Sequence, residues 1–531
     1  MQTVSQAWKN AHKQTLLNES FVEVSLDIAD PASLVDASSQ DNGAVYISDT
    51  AQVVSEVDKV IVPYCTLEQN LWLLNGGRKT IPESDYGDCG FIGEILSDAD
   101  GYFGEKTPTI TINFSQVHPN LIPGITITWG TAYDECAEDF VITAYNGSDI
   151  VVKKEVVGNK SVKSATMMDI INYDRITIQI MRWCLPNRRP RVEEIFVGIN
   201  KVYSKADLFN YTHTQTVDPI STALSKMEVR FSVGNVENEY NPYNENGMAK
   251  YLMSRQAVKT RYGLKTSDNT TEWIKGGTFY LSEWSAKQNG LTAEFTARDL
   301  LEFLSDIYND NVSTISSRSL YSLALTLLEG SDLPLNDDGT VKWVIDESLR
   351  SIYTTAPLPE DTRANCLQLI ANAGRCVIFQ DRTGTLRIEP IASEISDYEI
   401  DSFNSYSRPE ITISKPIKQV IVKKYTYRMV SGKLESSTTD VTIAIGDTGE
   451  SITIDNPLIT DDTRATVIGE WVGNHLKNRI SLDFNWRSDV RLDALDIIKT
   501  TNDYNTNNVR MTEVEFSFNG AFRGKAEGGV M

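Results

Sequence analysis

Apolar and polar positions alternate most clearly between Thr278 and Phe295, where two strand-like runs flank Asn289-Gly290. Both turn residues of a two-residue hairpin must tolerate positive φ, and Asn-Gly is the strongest short-range signal for such a turn. The turn sets a register with Gln288 opposite Leu291, Ala286 opposite Ala293 and Trp284 opposite Phe295. Because successive side chains point to opposite faces, Tyr280, Trp284, Ala286, Leu291, Ala293 and Phe295 are expected on one buried face, with Phe279 and Leu281 on the other. Downstream, Thr296 is placed to cap a helix whose apolar stripe is Leu300, Leu301, Leu304, Ile307 and Tyr308.

Elsewhere the pattern divides the chain into blocks. A helical or irregular start precedes a strand over Phe21 to Ile28, and the polar stretch after it, with Pro31 and Asp41-Asn42-Gly43, reads as a connecting loop. From Lys59 to Asn200 short β runs follow one another without a long helix: IVPYCTL, LWLLNGG, TPTITINFS, GITITWG, DFVITAYNGSD, IVVKKEVVG, DRITIQIMRW and VEEIFVG. That spacing predicts an antiparallel β-sandwich, with a hairpin turn at Asn146-Gly147. Met227, Val229, Phe231 and Val233 alternate with polar residues and predict a half-buried strand.

Beyond the Thr278–Tyr308 block, Ser319 is placed to cap a helix ended by Gly330, and a second helix runs from about Asp361 to Gly374. A hairpin turning at Asp381-Arg382-Thr383-Gly384 follows. VTIAIG and SITID then read as a hairpin-like pair, and a helix is predicted over Asp462 to Leu476, with His475 at its boundary. The chain finishes in two strands and a frayed tail. A β domain that stops near residue 58 and resumes near 201 indicates an insertion.

Composition narrows the functional classes. The 531 residues exceed one core and suggest three or four domains. No apolar run approaches the roughly 20 residues of a membrane span, and the first residues lack the apolar core of a secretory signal, so synthesis in the cytoplasm of a host is expected. Fifty Lys and Arg against 72 Asp and Glu give a net charge of −22, which opposes broad association with nucleic acid or anionic membrane. The six cysteines contain no CxxC pair, and the four histidines form no HxH or HExxH spacing. Packed reduced thiols and no metal site, cofactor or catalytic residue are therefore expected.

Within residues 59–200, YCTLEQNLWLLNGG, GITITWG with DFVITAYN, and RWCLPNRRPRVEEIFVG resemble the galactose-binding-like, discoidin-type sandwiches inserted in tail proteins of phages and prophages of Gram-positive bacteria. Outside it, NPYNENGMAKYLMSRQAVKTRYGL, TFYLSEWSAKQNGLTAEFTARDLLEFL, RANCLQLIANAGRCVIFQDRTGTLRIEP, SYSRPEITISKPIKQVIVKKYTY, and RLDALDIIKT with EVEFSFNGAFRGKAEGG are similar to baseplate-hub (tail-tip) proteins of such phages and of phage-derived particles. The resemblance implies a mainly β chain with α+β parts. Its expected domains are a tube-type β domain over 1–58 and 201–312, the inserted sandwich over 59–200, a small helix-containing α+β unit over 313–398 and a second tube-type β domain over 399–531.

It also implies a non-enzymatic structural role. A homotrimer would bridge a six-fold tail tube to a three-fold tip at the distal end of the virion tail. Its partners would be tail-tube or distal-tail, tape-measure and tip proteins, with DNA met only in passage. Sugar recognition by the sandwich would need an aromatic platform with polar groups fixing hydroxyls. The candidates are Trp72, Tyr86, Trp129, Tyr133, Asp134, Trp183, Arg188 and Arg189. Against this stands the reading that Trp72 and Trp129 fill the sandwich core, and that Arg188 and Arg189 are solvated loop charges. A dedicated receptor-binding protein is the alternative function. A cell-wall hydrolase ranks below it, because carboxylate pairs occur by chance among 72 acids and no cysteine lies in a nucleophile signature.

Overall fold

The computed structural model describes residues 1–14, 19–42, 53–54, 68, 89–104, 106–266, 270–287, 290–310, 315–336, 340–431, 433–501 and 506–531. The chain is mainly β, and its backbone is a 13-stranded sheet drawn from both ends of the sequence. In spatial order, the first seven strands are Gly198–Tyr203, Ser20–Ala29, Ala257–Lys265, Thr271–Ala286, Thr292–Arg298, Lys226–Gly234 and Leu208–Thr216. The sheet continues through Thr506–Phe518, Phe522–Val530, Ile480–Trp486 and Glu410–Ile413, with Ile497–Thr501 and Ile395–Ile400 branching from Thr506–Phe518. The last segment of the chain is thus a strand paired on both sides, where sequence reading expected a frayed tail. One apolar core, from Trp8 and Val24 to Phe516 and Phe522, runs beneath both halves.

The hairpin register is as expected, with Trp284 opposite Phe295 and Ala286 opposite Ala293, and these four residues lie in or against the core as expected, but the face is exchanged before Ser282. A β-bulge lies between Leu281 and Glu283, and the extra residue, Ser282, reverses the alternation. Phe279 and Leu281 therefore enter the same core as Ala293, Phe295 and Ala297. Tyr280 turns into a second core, Trp284 is only half-buried, and Leu291 is exposed. Asn289 lies outside the described residues. The expected helix after the hairpin is a five-residue 3-10 turn, Leu300–Leu304, capped by Asp299 and not Thr296. Thr296 sits inside the strand, whereas Asp299 is the first residue free of it and accepts from Leu301 N at 3.0 Å. Ile307 and Tyr308 form a short strand.

The second core joins the predicted helices Leu320–Glu329 and Arg363–Gly374 to the helix Asp462–Leu476. The last of these packs on a three-stranded sheet in which Ile417–Val430 takes Lys433–Ala444 antiparallel on one edge and Glu450–Asp455 parallel on the other. VTIAIG and SITID therefore flank a common strand instead of pairing with each other. Gly469 and Gly473 permit this contact: a Cβ at Gly469 would meet Ile443 Cδ1 at 2.3 Å, and one at Gly473 would meet Ile445 Cδ1 at 2.0 Å.

The sandwich sets a five-stranded sheet, in the order Ser38–Asp41, Thr109–His118, Tyr173–Trp183, Ala137–Asn146 and Asp149–Val156, against a three-stranded sheet, Glu194–Phe196, Ile122–Thr128 and Lys163–Ile170. Its first strand and the helix Pro31–Asp36 come from the stretch read as a connecting loop. The IVPYCTL and LWLLNGG runs lie outside the described residues. The chain leaves the large sheet at Ala29 and returns at Gly198, which pair directly. Gly198 has φ +153°, and a Cβ there would lie 2.6 Å from Ala29 Cβ.

Phe295 is 2% exposed, stacks on Phe231 at 5.1 Å between ring centroids and meets Tyr240 edge-on at 5.1 Å. Phe295→Ala is expected to cost about 3–5 kcal/mol of stability, and Trp284→Ala distinctly less because its ring is partly solvated. Urea unfolding of the two variants measures the difference; equal losses would contradict the face assignment.

Candidate functional site

Six of the residues expected to bind sugar are described, and three of them, Trp129, Trp183 and Arg188, are buried. Trp129 and Trp183 lie in the sandwich core, with rings edge-to-face at 6.1 Å. Their indole N–H groups are spent on Ser164 Oγ, 2.9 Å, and Glu135 Oε2, 2.8 Å. Trp72 and Tyr86 lie outside the described residues. Tyr133 ends the short 3-10 turn Thr131–Tyr133, and Asp134 follows it in the left-handed region at φ 55°. Asp134 is exposed and Tyr133 half-buried, with the Arg191 guanidinium 5.0 Å from the Tyr133 ring centroid.

The LPNRRPR loop is not solvated charge. Arg188 is buried, with Nε 3.0 Å from Glu135 Oε1, and Arg191 grips Glu68 through two bonds of 2.9 and 2.7 Å. Arg189 is half-buried, and its backbone N–H donates to Glu68 Oε1 at 2.7 Å. Burial pushes the Glu135 carboxyl up, against the Trp183 hydrogen bond and the nearby arginines. This Glu68–Arg191 and Glu135–Arg188 cluster was not anticipated. Its signal was the Arg188-Arg189-Pro190-Arg191 run: charges so dense beside a β-run need carboxylates within reach if they are buried. Cys136 and Cys184 meet just below it, the Cys136 N–H pointing at Cys184 Sγ at 3.2 Å.

A second polar cluster lies where the two halves of the large sheet meet, through Tyr211–Thr216 paired with Glu513–Phe518. Arg382, at the tip of a hairpin in the helical unit, is buried there. Its Nε donates to Asp493 Oδ1 at 2.6 Å and its Nη2 to Leu492 O at 2.9 Å. Burial alone would raise Asp493, but Arg382, with hydrogen bonds from Gln2 and Gln215, outweighs it and holds the carboxyl below its usual range. His213 Nδ1 meets Tyr262 Oη at 2.6 Å, and Tyr262 meets Tyr211 hydroxyl to hydroxyl at 2.8 Å.

Among the described residues, no cluster of three His, Cys, Asp or Glu side chains converges as a metal site, and no helix is long and apolar enough to cross a membrane. What these clusters do chemically is hold charge rigidly under apolar layers.

No family model and no curated protein matches the chain. Solved structures similar to it include tail proteins of prophages. The 43 kDa tail protein of prophage MuSo2 from Shewanella oneidensis is 12% identical over 62% of this chain and 95% of that one, with a TM-score of 0.43. A tail protein from Neisseria meningitidis MC58 is 9% identical over 62% and 93%, at 0.41. The prophage tail protein gp18 from Listeria monocytogenes EGD-e is 10% identical over 63% and 91%, at 0.40.

Burial, assisted by Arg382 and opposed by Asp493, drives His213 from 6.5 down to about 3. Between those values the unfolded chain takes up a proton that the folded chain refuses, so the contribution of neutral His213 is complete above pH 6.5 and is lost as pH falls. Wild type should lose about 2 kcal/mol between pH 7.5 and 5 through this residue. His213→Gln should remove that component, as read from urea midpoints at the two pH values; an unchanged slope would refute the assignment.

Proposed function

We propose that this chain is a non-enzymatic baseplate-hub protein of a phage or phage-derived tail, assembling as a homotrimer that joins a six-fold tube to a three-fold tip. The observation that carries this reading is the long sheet with two unlike ends. At one end Gly198–Tyr203 lies beside the sandwich, Thr126 Oγ1 donating to Gly198 O at 3.0 Å. At the other end Glu410–Ile413 pairs on one side only, among the described residues, with Ile480–Trp486. Ile411 and Ile413 on that strand are 59% and 63% exposed, and Phe403, Tyr406 and Ile480 nearby are also exposed. A sheet edge that leaves backbone donors and apolar side chains in water is a template for pairing with another chain. Two β halves per chain give six β halves in three copies, which fits the symmetry step, and heterologous contacts at the free edge of each chain close such a ring.

In this reading the sandwich is an outward module that contacts host-surface glycan. Entry and exit at the adjacent residues Ala29 and Gly198 let it be carried without disturbing the sheet. We place the glycan contact on Tyr133 and Asp134, which reach the surface above the buried arginines, with Arg189 at its margin. Tail-tube, tape-measure and tip proteins are the partners, and DNA passes without being held by a chain of this charge.

Two outcomes are expected. Light scattering of purified protein should give three times the chain mass, and Ile411→Lys with Ile413→Lys should shift it toward the monomer without lowering the melting temperature; a monomeric wild type would overturn the trimer. Particles whose hub lacks residues 30–197, closed by a short Gly-Ser linker, should assemble but fail to adsorb, and Tyr133→Ala should weaken adsorption. Failed assembly of the deletion would mean that the sandwich is structural, and clearing of cell-wall substrate by the purified chain would make it an enzyme.

A further inference from the structure

A cavity of about 770 Å³ opens between the helix Asp462–Leu476, the C-terminal end of the helix Arg363–Gly374 and the strands near Arg510 and Val530. Its walls carry three arginines, Arg375, Arg464 and Arg510, and, among the described residues, no aspartate or glutamate; Met531, whose terminal carboxylate makes no ion pair with a described residue, also lines it. In a chain with 72 acidic residues against 50 basic ones, this is a local inversion of charge. None of the three makes an ion pair with a described residue.

Two of the guanidiniums are held by backbone carbonyls without being neutralised. Arg464 Nε donates to Ala373 O, satisfying a carbonyl at the helix end, while its Nη2 is buried with no hydrogen-bond partner among the described residues. Arg510 Nη1 donates to Ala392 O at 2.8 Å. Arg375 is exposed, in the left-handed conformation at φ 59° just past the helix. Burial depresses Arg464, with Arg375 pushing the same way and Asp461 against, and burial alone depresses Arg510. The side-chain carboxylates whose charge reaches Arg464 and His475 are engaged elsewhere: Asp461 caps the helix at Arg464 N, and Asp218 accepts from the backbone of Ile220, Thr222 and Ala223. His475, on the same wall, is held down by burial and so adds no charge near neutral pH. A buried, unneutralised guanidinium is costly unless an anion completes it.

We propose that this cavity binds a carboxylate-bearing peptide segment of a neighbouring tail protein. Forked guanidinium donors match carboxylate geometry, and Trp471, Ile352 and Ile391 offer apolar surface for the stems of glutamate or aspartate side chains. The volume is in the range of ligand pockets and far exceeds a single inorganic anion. A nucleic acid is disfavoured because affinity for a polyanion needs an extended basic track, and the rest of this chain would repel it. The site is independent of the free sheet edge, so its failure would leave the trimer measurement standing.

The test uses the full chain and fluorescein-labelled hexaglutamate, read by fluorescence anisotropy, with inorganic phosphate and oligothymidylate as competitors. Wild type should bind the peptide, and unlabelled hexaglutamate should displace it better than either competitor. Arg510→Gln should weaken binding about tenfold, one charge-assisted contact's worth. Arg375→Gln, at an exposed residue without an ion pair among the described residues, should do the same with an unchanged melting temperature, which keeps the test valid if the Arg510 variant misfolds. No peptide binding, equal affinity in wild type and Arg375→Gln, or displacement only by oligothymidylate or phosphate would each overturn the proposal.

Discussion

The pairing of Leu208–Thr216 with Thr506–Phe518 is the constraint on which the architecture depends. These strands lie roughly three hundred residues apart, and without their ladder the chain has two open half-sheets with no shared core. Non-local pairing of this kind carries a loop-closure cost that local contacts do not. The register is secured by what is buried at the seam. His213 faces Phe516 across the pairing, and Gln215 faces Val514 while donating to Asp493 Oδ1 at 3.0 Å. A one-residue slip would turn His213 and Gln215 to the opposite face and leave Asp493 and Tyr262 without those partners inside a low-dielectric core. The same slip would turn Tyr211, Val514 and Phe516 out of the core, so apolar and polar groups fix the register together.

That seam could not be read from the sequence, for a physical reason. Local pattern reports which positions are apolar and where the chain turns, and it placed the strand at Phe21–Ile28, the helices after Ser319 and at Asp462–Leu476, and the register of Trp284 with Phe295. It reports nothing about which strand edges meet after hundreds of intervening residues. The bulge at Ser282 is a related case: one extra residue leaves the pairing of Trp284 with Phe295 intact yet exchanges the buried face of the stretch before it, and nothing in FYLSEW marks it. Asp299 was overlooked as a cap because Thr296 satisfies the same local rule three residues too early. Of the proposed sugar-site residues, Trp129 and Trp183 lie in the core that aromatic residues of a β run usually fill, and the buried arginines were misread because their partners, Glu68 and Glu135, are remote or unremarkable in sequence.

The insertion shows how a separate core is accommodated. Ala29 and Gly198 are neighbours in the ladder, so the large sheet has the same hydrogen bonds there whether the excursion between them is long or short. His118 then ties the excursion down, with Nε2 2.9 Å from Asp36 and Nδ1 3.5 Å from Asp30, at the two ends of the helix through which the chain enters the sandwich. Thr126 Oγ1 on Gly198 O, and Lys250 with Tyr251 on Asp169, are polar contacts between the sandwich and the rest.

The helical unit is mounted in a different way. Gln380 donates to Thr278 O and accepts from Leu300 N, both at 2.8 Å, and Asn372 donates to Ile220 O at 2.8 Å. Arg382 reaches past them into the seam itself. These amide and guanidinium bonds are buried, so swinging the unit away from the sheet would strand several polar groups together, each costing about 1–3 kcal/mol. Tilting in small steps is therefore disfavoured relative to staying docked. The arginine-walled cavity lies on the outer side of this mount, where a bound acidic segment would bridge the unit and the C-terminal strands without opening the seam.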